Sequence, residues 1–329
     1  MAAHNKNTDS NQPRAQLLER VFITGDEWLY YKFYTGPKTA DVILTEVIKP
    51  VTEELLSQKI IDRWFFIRYA DPQLHTRVRF HLVDSQATGP VIHRVGSCII
   101  PFIRQNLVWK VQLDTYQREV ERYGGNSMEL AEQLFFHDSQ MMVNMLALIE
   151  GDEGERIRWL FGLRAVDALL EDFHFDMEQR FELVTMLRES FGREHGMNRN
   201  LKEQLEKKFR ADRDAINELM DRSNDSVSEM LPLYQLVAQK STAVQSIAGE
   251  ILTLNRQNRL QVPLNDLMAS YSHMLVNRLF KSKQRTHEMV LYDFLHRYYK
   301  SEIARRKYSQ SNLQKKKKTA ENHQVNKSS

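Results

Sequence analysis

The sequence predicts an α+β fold: a mixed or antiparallel sheet in the N-terminal half, covered by a mainly helical C-terminal half, in a single domain. Three observations carry this. Short runs of strand character precede residue 114 in the order strand, helix, strand, strand, helix, strand. From Asn126 onward helical periodicity replaces them. No repeat of fixed period and no Pro/Gly-rich linker divides the 329 residues.

The elements follow in order. Glu27–Tyr34 (EWLYYKFY) and Arg63–Tyr69 (RWFFIRY) are aromatic-rich runs of strand type. Thr76–Leu82 (TRVRFHL) and Leu107–Leu113 (LVWKVQL) alternate with period two. Between the first two strands, Leu44, Val47, Ile48, Val51 and Leu55 recur at helical spacing, with Pro50 placed to kink the helix. A second helix over roughly Val91–Asn106 separates the third and fourth strands. Helices then follow over Asp138–Glu150, Glu155–Asp172, Glu178–Phe191, Leu201–Arg222, Val227–Asn258 and Pro263–Phe280. Residues 1–20 and 309–329 are polar and lack apolar periodicity, so they read as disordered ends around a folded region 21–308.

Composition narrows the function classes. Hydrophobic residues make up 42% and charged residues 27% of the chain, ordinary globular usage. One cysteine, Cys98, leaves no disulfide framework, and no Cys/His cluster has zinc-ligand spacing. The reducing cytoplasm fits this usage. No apolar run approaches 18 residues and Met1–Arg20 lacks a signal peptide's apolar core, so neither a membrane span nor secretion is expected. The net charge of +3 resides in the tail: Lys300–Ser329 carries +7, leaving −4 elsewhere. The lysine run Lys315–Lys318 is the sole support for a nucleic-acid-binding module, and such a run at a chain end reads as a solubilising tail.

Three segments could carry chemistry. In Thr76–Leu82 the alternation sets Arg77, Arg79 and His81 on one strand face, and a guanidinium pair suits a carboxylate or a developing oxyanion. A solvated strand face is the plainer reading. Asp114–Gly125 (DTYQREVERYGG) gathers Arg118, Glu119, Glu121, Arg122 and Tyr123 before a Gly-Gly turn, where an ion-pair network that holds a loop is the alternative to catalysis. In Pro263–Phe280, Asp266, Ser270, His273 and Asn277 form a polar stripe opposite Leu264, Leu267, Tyr271 and Leu275. Ser270 and Asn277 are placed to orient a proton-transferring His273, although a lone helical histidine is more often structural. His137, His174 and the methionines Met128, Met141, Met142 and Met145 read as core or surface residues. Glycine-rich phosphate loops, H-E-x-x-H and G-x-S-x-G are absent, so nucleotide binding, zinc proteolysis and α/β-hydrolase chemistry lack support.

Four ordered motifs together resemble the C-terminal, glutamate-eliminating domain of the lantibiotic dehydratases, which also occurs as a free-standing protein in lanthipeptide and thiopeptide biosynthesis. They are Trp28–Phe33 (WLYYKF), Phe65–Phe80 (FFIRYADPQLHTRVRF), Thr115–Gly125 (TYQREVERYGG) with Ala131–Ser139 (AEQLFFHDS), and His273–Leu279 (HMLVNRL), spanning roughly residues 25–300. The resemblance implies that a separate enzyme, dependent on glutamyl-tRNA, esterifies Ser or Thr of a precursor peptide. The elimination component then expels glutamate to leave dehydroalanine or dehydrobutyrine. By the same resemblance the working residues are Arg77 or Arg79, Glu119, Arg122 and His273, with Glu119 orienting Arg122. No cofactor or metal is implied. The partners implied are the glutamylated precursor peptide and the glutamylating enzyme, with no direct nucleic-acid contact and room for a homodimer. Two other roles stay open: a [4+2] cycloaddition that makes the pyridine core of thiopeptides, as in some free-standing relatives, and a non-catalytic partner of the glutamylating enzyme.

Overall fold

Alternating aromatic and aliphatic residues build the sheet at the centre of this computed structural model, which describes residues 18–325. Four strands, β2 (Trp28–Thr35), β3 (Ile61–Ala70), β4 (Leu74–Leu82) and β5 (Val108–Asp114), pair in the order β3-β4-β2-β5. Every pairing is antiparallel. The register sets Tyr30 opposite Arg79 and Lys32 opposite Arg77 on β2–β4, and Phe65 opposite Arg79 on β3–β4. Period-two geometry therefore gathers Trp28, Tyr30, Phe65, Arg77 and Arg79 on one face. Leu29, Phe33, Phe66, Val78 and Phe80 share the other and are fully buried. A two-stranded ribbon, β1 (Val21–Phe22) with β6 (Tyr116–Gln117), has too few residues to show a period in the sequence.

The first helices cover the apolar face. α1 (Pro37–Ile43) and α2 (Lys49–Ser57) are joined by a π-turn over Leu44–Ile48. Pro50 lacks an N–H and its ring crowds the carbonyl four residues earlier, so the helix widens ahead of it; the kink expected from the sequence takes this form. Arg68, from the apolar face of β3, reaches Asp41 of α1 at 2.5 Å. α3 (Thr88–Arg104) then leads into β5.

After the one-turn α4 (Val120–Tyr123), the rest of the chain is helical. Its elements are α5 (Met128–Leu146), α6 (Gly151–Asp172), α7 (Met177–Glu194), α8 (Arg199–Met220), α9 (Leu231–Arg256), α10 (Leu264–Leu279) and α11 (Gln284–Val325). α5 begins ten residues before its expected start. The sequence pattern is broken there by Glu132, Asp138 and Ser139, which are buried despite their polarity because each side chain faces a partner inside the protein. The four methionines read as core are all buried. Gly162 lets α6 approach α10 and α11, since a Cβ there would meet Leu279 Cδ2 at 2.7 Å.

The sheet edge and the helices share one interior. An aromatic chain runs from Phe65 on β3 to Phe135 on α5 (5.5 Å), Tyr123 on α4 (5.2 Å), Tyr271 on α10 (5.9 Å) and Phe173 (5.8 Å). Residues 1–17 and 326–329, where most of the N-terminal disordered end and the last residues of the tail were expected, lie outside the described residues. The expected disordered tail differs in its described part: α11 continues to Val325. Its lysines and glutamines are good helix formers, so polarity alone does not prevent a helix there.

Candidate functional site

The candidate residues come from four elements. β4 supplies Arg77 and Arg79 from its centre, where the sheet register fixes which way they project. Arg79 is only 7% exposed and so is not on a solvated face. Its guanidinium carbon lies 4.4 Å from the ring centre of Tyr30, 4.7 Å from Tyr116 and 5.1 Å from Phe65. Aromatic faces attract a cation but leave its N–H groups unused. The Arg79 Nε is buried without a hydrogen-bond partner, and none of the ion pairs among the described residues involves Arg79. Arg77 is tied up differently. It stacks 3.5 Å over Tyr69 and its Nε donates to His75 Nε2 at 3.0 Å.

The segment before the glycine pair divides into two functions. Arg118 is buried and forks onto Glu132 through Nε (2.8 Å) and a terminal nitrogen (2.7 Å), while the Tyr116 hydroxyl donates to the same carboxylate at 2.7 Å. Glu121 pairs with Arg20 at the surface. These contacts fasten the β1–β6 ribbon and leave α4 to present Arg122. Its Nε donates to Ser270 Oγ on α10 at 3.2 Å, and its guanidinium lies 3.5 Å from the Glu119 carboxylate one turn earlier. Gly124, at φ +77°, turns the chain away, and a Cβ there would meet Ser127 Oγ at 3.1 Å. Burial pushes the neighbouring Tyr123 hydroxyl up to about 12, so it stays protonated.

α10 lies along the free edge of β3. Its apolar positions Leu267, Tyr271 and Leu275 are fully buried, and Ser270, His273 and Asn277 form the half-buried stripe. The side chains expected to orient His273 do other work. Ser270 receives Arg122, and Asn277 pairs with both polar groups of the Arg68 backbone at 2.9 Å, so it closes the sheet edge. The imidazole is held by a residue that sequence reasoning missed: its Nδ1 lies 3.0 Å from both carboxylate oxygens of Glu288 on α11. Glu288 is fully buried and fifteen residues away in the chain, and no local spacing links it to His273.

Two pairs, Arg122 with Ser270 and His273 with Glu288, are thus brought together along the polar stripe of α10 by α4 and α11. Arg79 adjoins it through the aromatic chain of Phe65, Phe135 and Tyr123. A cleft of about 1270 Å³ opens beside the glycine turn, between Gly125, Asn126 and Glu129 on one side and Ser246, Gly249 and Thr253 of α9 on the other. His137 is half-buried, and His174 is exposed at the end of α6; neither enters this arrangement. Among the described residues no cluster of three or more His, Cys, Asp or Glu is placed to hold a metal ion.

The comparisons with known proteins agree with this architecture. A family described as the lantibiotic biosynthesis dehydratase C-terminus matches residues 28–299, from the first residue of β2 to the buried Tyr299 of α11. The subtilin biosynthesis protein SpaB of Bacillus subtilis is 24% identical over 280 residues, which cover 83% of this chain and 25% of that protein. The nisin biosynthesis protein NisB of Lactococcus lactis subsp. lactis is 31% identical over 146 residues, 42% of this chain and 14% of that protein. The chain therefore spans a quarter or less of the curated relatives it matches. Three solved structures share the fold. The tRNA-dependent lantibiotic dehydratase MibB from Microbispora sp. 107891 superimposes with a TM-score of 0.66 at 23% identity, over 86% of this chain and 29% of that one. TsrL gives a TM-score of 0.62 at 12% identity, over 84% and 95%. TbtD, the pyridine synthase from thiomuracin biosynthesis, gives 0.55 at 14%, over 83% and 99%. This chain belongs to the lantibiotic biosynthesis dehydratase C-terminal family.

Proposed function

We propose that the chain is the elimination component of a split lanthipeptide or thiopeptide dehydratase, acting on precursor peptides whose Ser or Thr residues have been glutamylated by a separate glutamyl-tRNA-dependent enzyme. The observation that carries this reading is Arg79: a buried guanidinium, surrounded by aromatic rings and without a carboxylate partner, is a receptor for an anion supplied by substrate. β-Elimination generates such charge twice, on the enolate-like peptide carbonyl and on the departing glutamate.

The step balances without a cofactor. His273 takes the Cα proton at its Nε2. The Cα–H electron pair becomes the Cα=Cβ double bond, the Cβ–O ester bond breaks, and its electrons leave on the glutamate carboxylate. Arg79 and Arg122 stabilise the developing negative charge, and Glu119 keeps Arg122 in place through their 3.5 Å contact. Arg77, engaged by Tyr69 and His75, is the less available of the strand arginines.

A pyridine synthase is the second reading. It is favoured by the match to TbtD over 99% of that chain. The Arg, Glu and His motifs that the family resemblance assigns to eliminating members are all present here, at Arg77, Arg79, Glu119, Arg122 and His273, which favours elimination. Mass spectrometry of precursor peptide incubated with the glutamylating enzyme and this chain separates the possibilities. With His273→Ala the peptide should retain glutamyl adducts. Linear, dehydrated peptide formed by the wild-type chain and not by His273→Ala identifies the eliminase. Glutamyl adducts that persist with the wild-type chain, together with cyclisation of peptide supplied already dehydrated, would identify a cyclase. Unmodified peptide whenever the chain is left out would identify a partner needed for glutamylation.

A further inference from the structure

We infer that Glu288 is the positioning residue for His273, fixing the proton on Nδ1 so that Nε2 faces substrate as a free base. This assignment rests on the elimination reading for its catalytic consequence, while its structural content stands separately.

Glu288 lies one turn into α11 and is fully buried, so its charge must be met within the protein. Three groups meet it. His273 Nδ1 lies 3.0 Å from each oxygen, the Tyr292 hydroxyl donates to Oε1 at 3.2 Å, and an Arg285 terminal nitrogen lies 3.6 Å from Oε2. Tyr292 can act only as a donor there, because burial and the adjacent carboxylate push its ionisation well above the usual range. Arg285 is shared with Glu194 of α7, to which its Nε donates at 3.0 Å. Glu288 is thereby held as an acceptor.

An ionised carboxylate has no proton to give, so the 3.0 Å contact requires the hydrogen to reside on Nδ1. In a neutral ring the lone pair then lies on Nε2. His273 Nε2 has no hydrogen-bond partner among the described residues, and the side chain is 23% exposed. The ring is thus anchored from behind and reactive in front. When Nε2 takes the Cα proton, the imidazolium gains a second N–H while its first still points at the carboxylate, so the charged intermediate is stabilised where it forms. This is the logic by which an aspartate orients the base in serine hydrolases, here with a partner from a different helix and at a reacting centre that forms no covalent intermediate.

The test is nitrogen-15 NMR of the full chain labelled at histidine, with His273→Gln used to identify the resonance. The wild-type ring should show the Nδ1–H tautomer. Glu288→Gln should give a mixture or the Nε2–H form and reduce elimination turnover by about 10²–10⁴-fold. Glu288→Asp, which keeps the charge on a shorter arm, should recover part of both. A wild-type Nε2–H tautomer overturns the inference without recourse to any variant. So does a Glu288→Gln protein whose tautomer is unchanged and whose turnover stays within about threefold of wild type. If the tautomer responds as expected but the wild-type chain eliminates no glutamate, the elimination reading fails while the positioning assignment stands.

Discussion

Arg77 and Arg79 are two residues apart on one strand and share a face, yet their surroundings give them different capacities. Arg77 rests on Tyr69 and bonds His75, so much of its hydrogen-bonding capacity is already engaged. Arg79 sits among Tyr30, Phe65 and Tyr116 with its Nε unpaired. The rings come from three segments, which is why the alternation in the sequence reveals the shared face and not the difference between the two residues. If Arg79 and Arg122 receive anionic substrate groups through a planar fork, Arg79→Lys and Arg122→Lys should each reduce elimination by about 10²-fold, since an ammonium keeps the charge and loses the bidentate geometry. Arg77→Lys should cost far less. Steady-state turnover on glutamylated peptide checks the order, and normal turnover in Arg79→Lys would remove Arg79 from the receptor.

At the scale of elements, α10 shows what helical periodicity can and cannot say. The spacing identifies the helix, the buried Leu267, Tyr271 and Leu275, and the stripe of Ser270, His273 and Asn277, while Asp266 at the start of that stripe is exposed and Leu264 is only half-buried. It does not identify what the stripe faces, because the partners come from β3, α4 and α11. Asn277 replaces a missing neighbouring strand: its amide supplies the acceptor and the donor that the edge backbone at Arg68 lacks. Removing that side chain leaves an N–H and a C=O unpaired in a half-buried place. Asn277→Ala should therefore destabilise the protein by about 2–4 kcal/mol, two groups at the usual cost of an unmade bond. Chemical denaturation reads this directly. A loss below about 0.5 kcal/mol would mean that water satisfies the edge as well as asparagine does.

Across the whole molecule, the division into a sheet-bearing half and a helical half is legible because periods of two and 3.6 are local properties, and the single interior that joins them is not. Asp41 of α1 illustrates the join, taking Arg68 of β3 and Arg158 of α6 at 2.5 and 2.6 Å. The tail shows the converse. Its composition correctly indicates the lack of burial through residue 310 and does not exclude helix. One consequence of the shared interior is acid lability. Burial lowers the ionisation of His75, His137 and His287, and pulls His296 down to about 4 from an ordinary 6.5. His296 packs on Phe181 at 5.0 Å with its Nδ1 buried and unpaired, close to Arg188, Arg297 and Lys300, with Asp293 the opposing charge. Between pH 6.5 and about 4 the unfolded chain binds a proton at this histidine that the folded chain refuses, so its contribution is complete above pH 6.5 and falls away as the pH drops toward 4. His296→Phe keeps a flat ring against Phe181 and cannot titrate. Its melting temperature relative to wild type should stay constant above pH 6.5 and climb steadily as the pH is lowered to 4, as scanning calorimetry at matched ionic strength would show. Parallel curves for the two proteins over that interval would assign the acid loss to other groups.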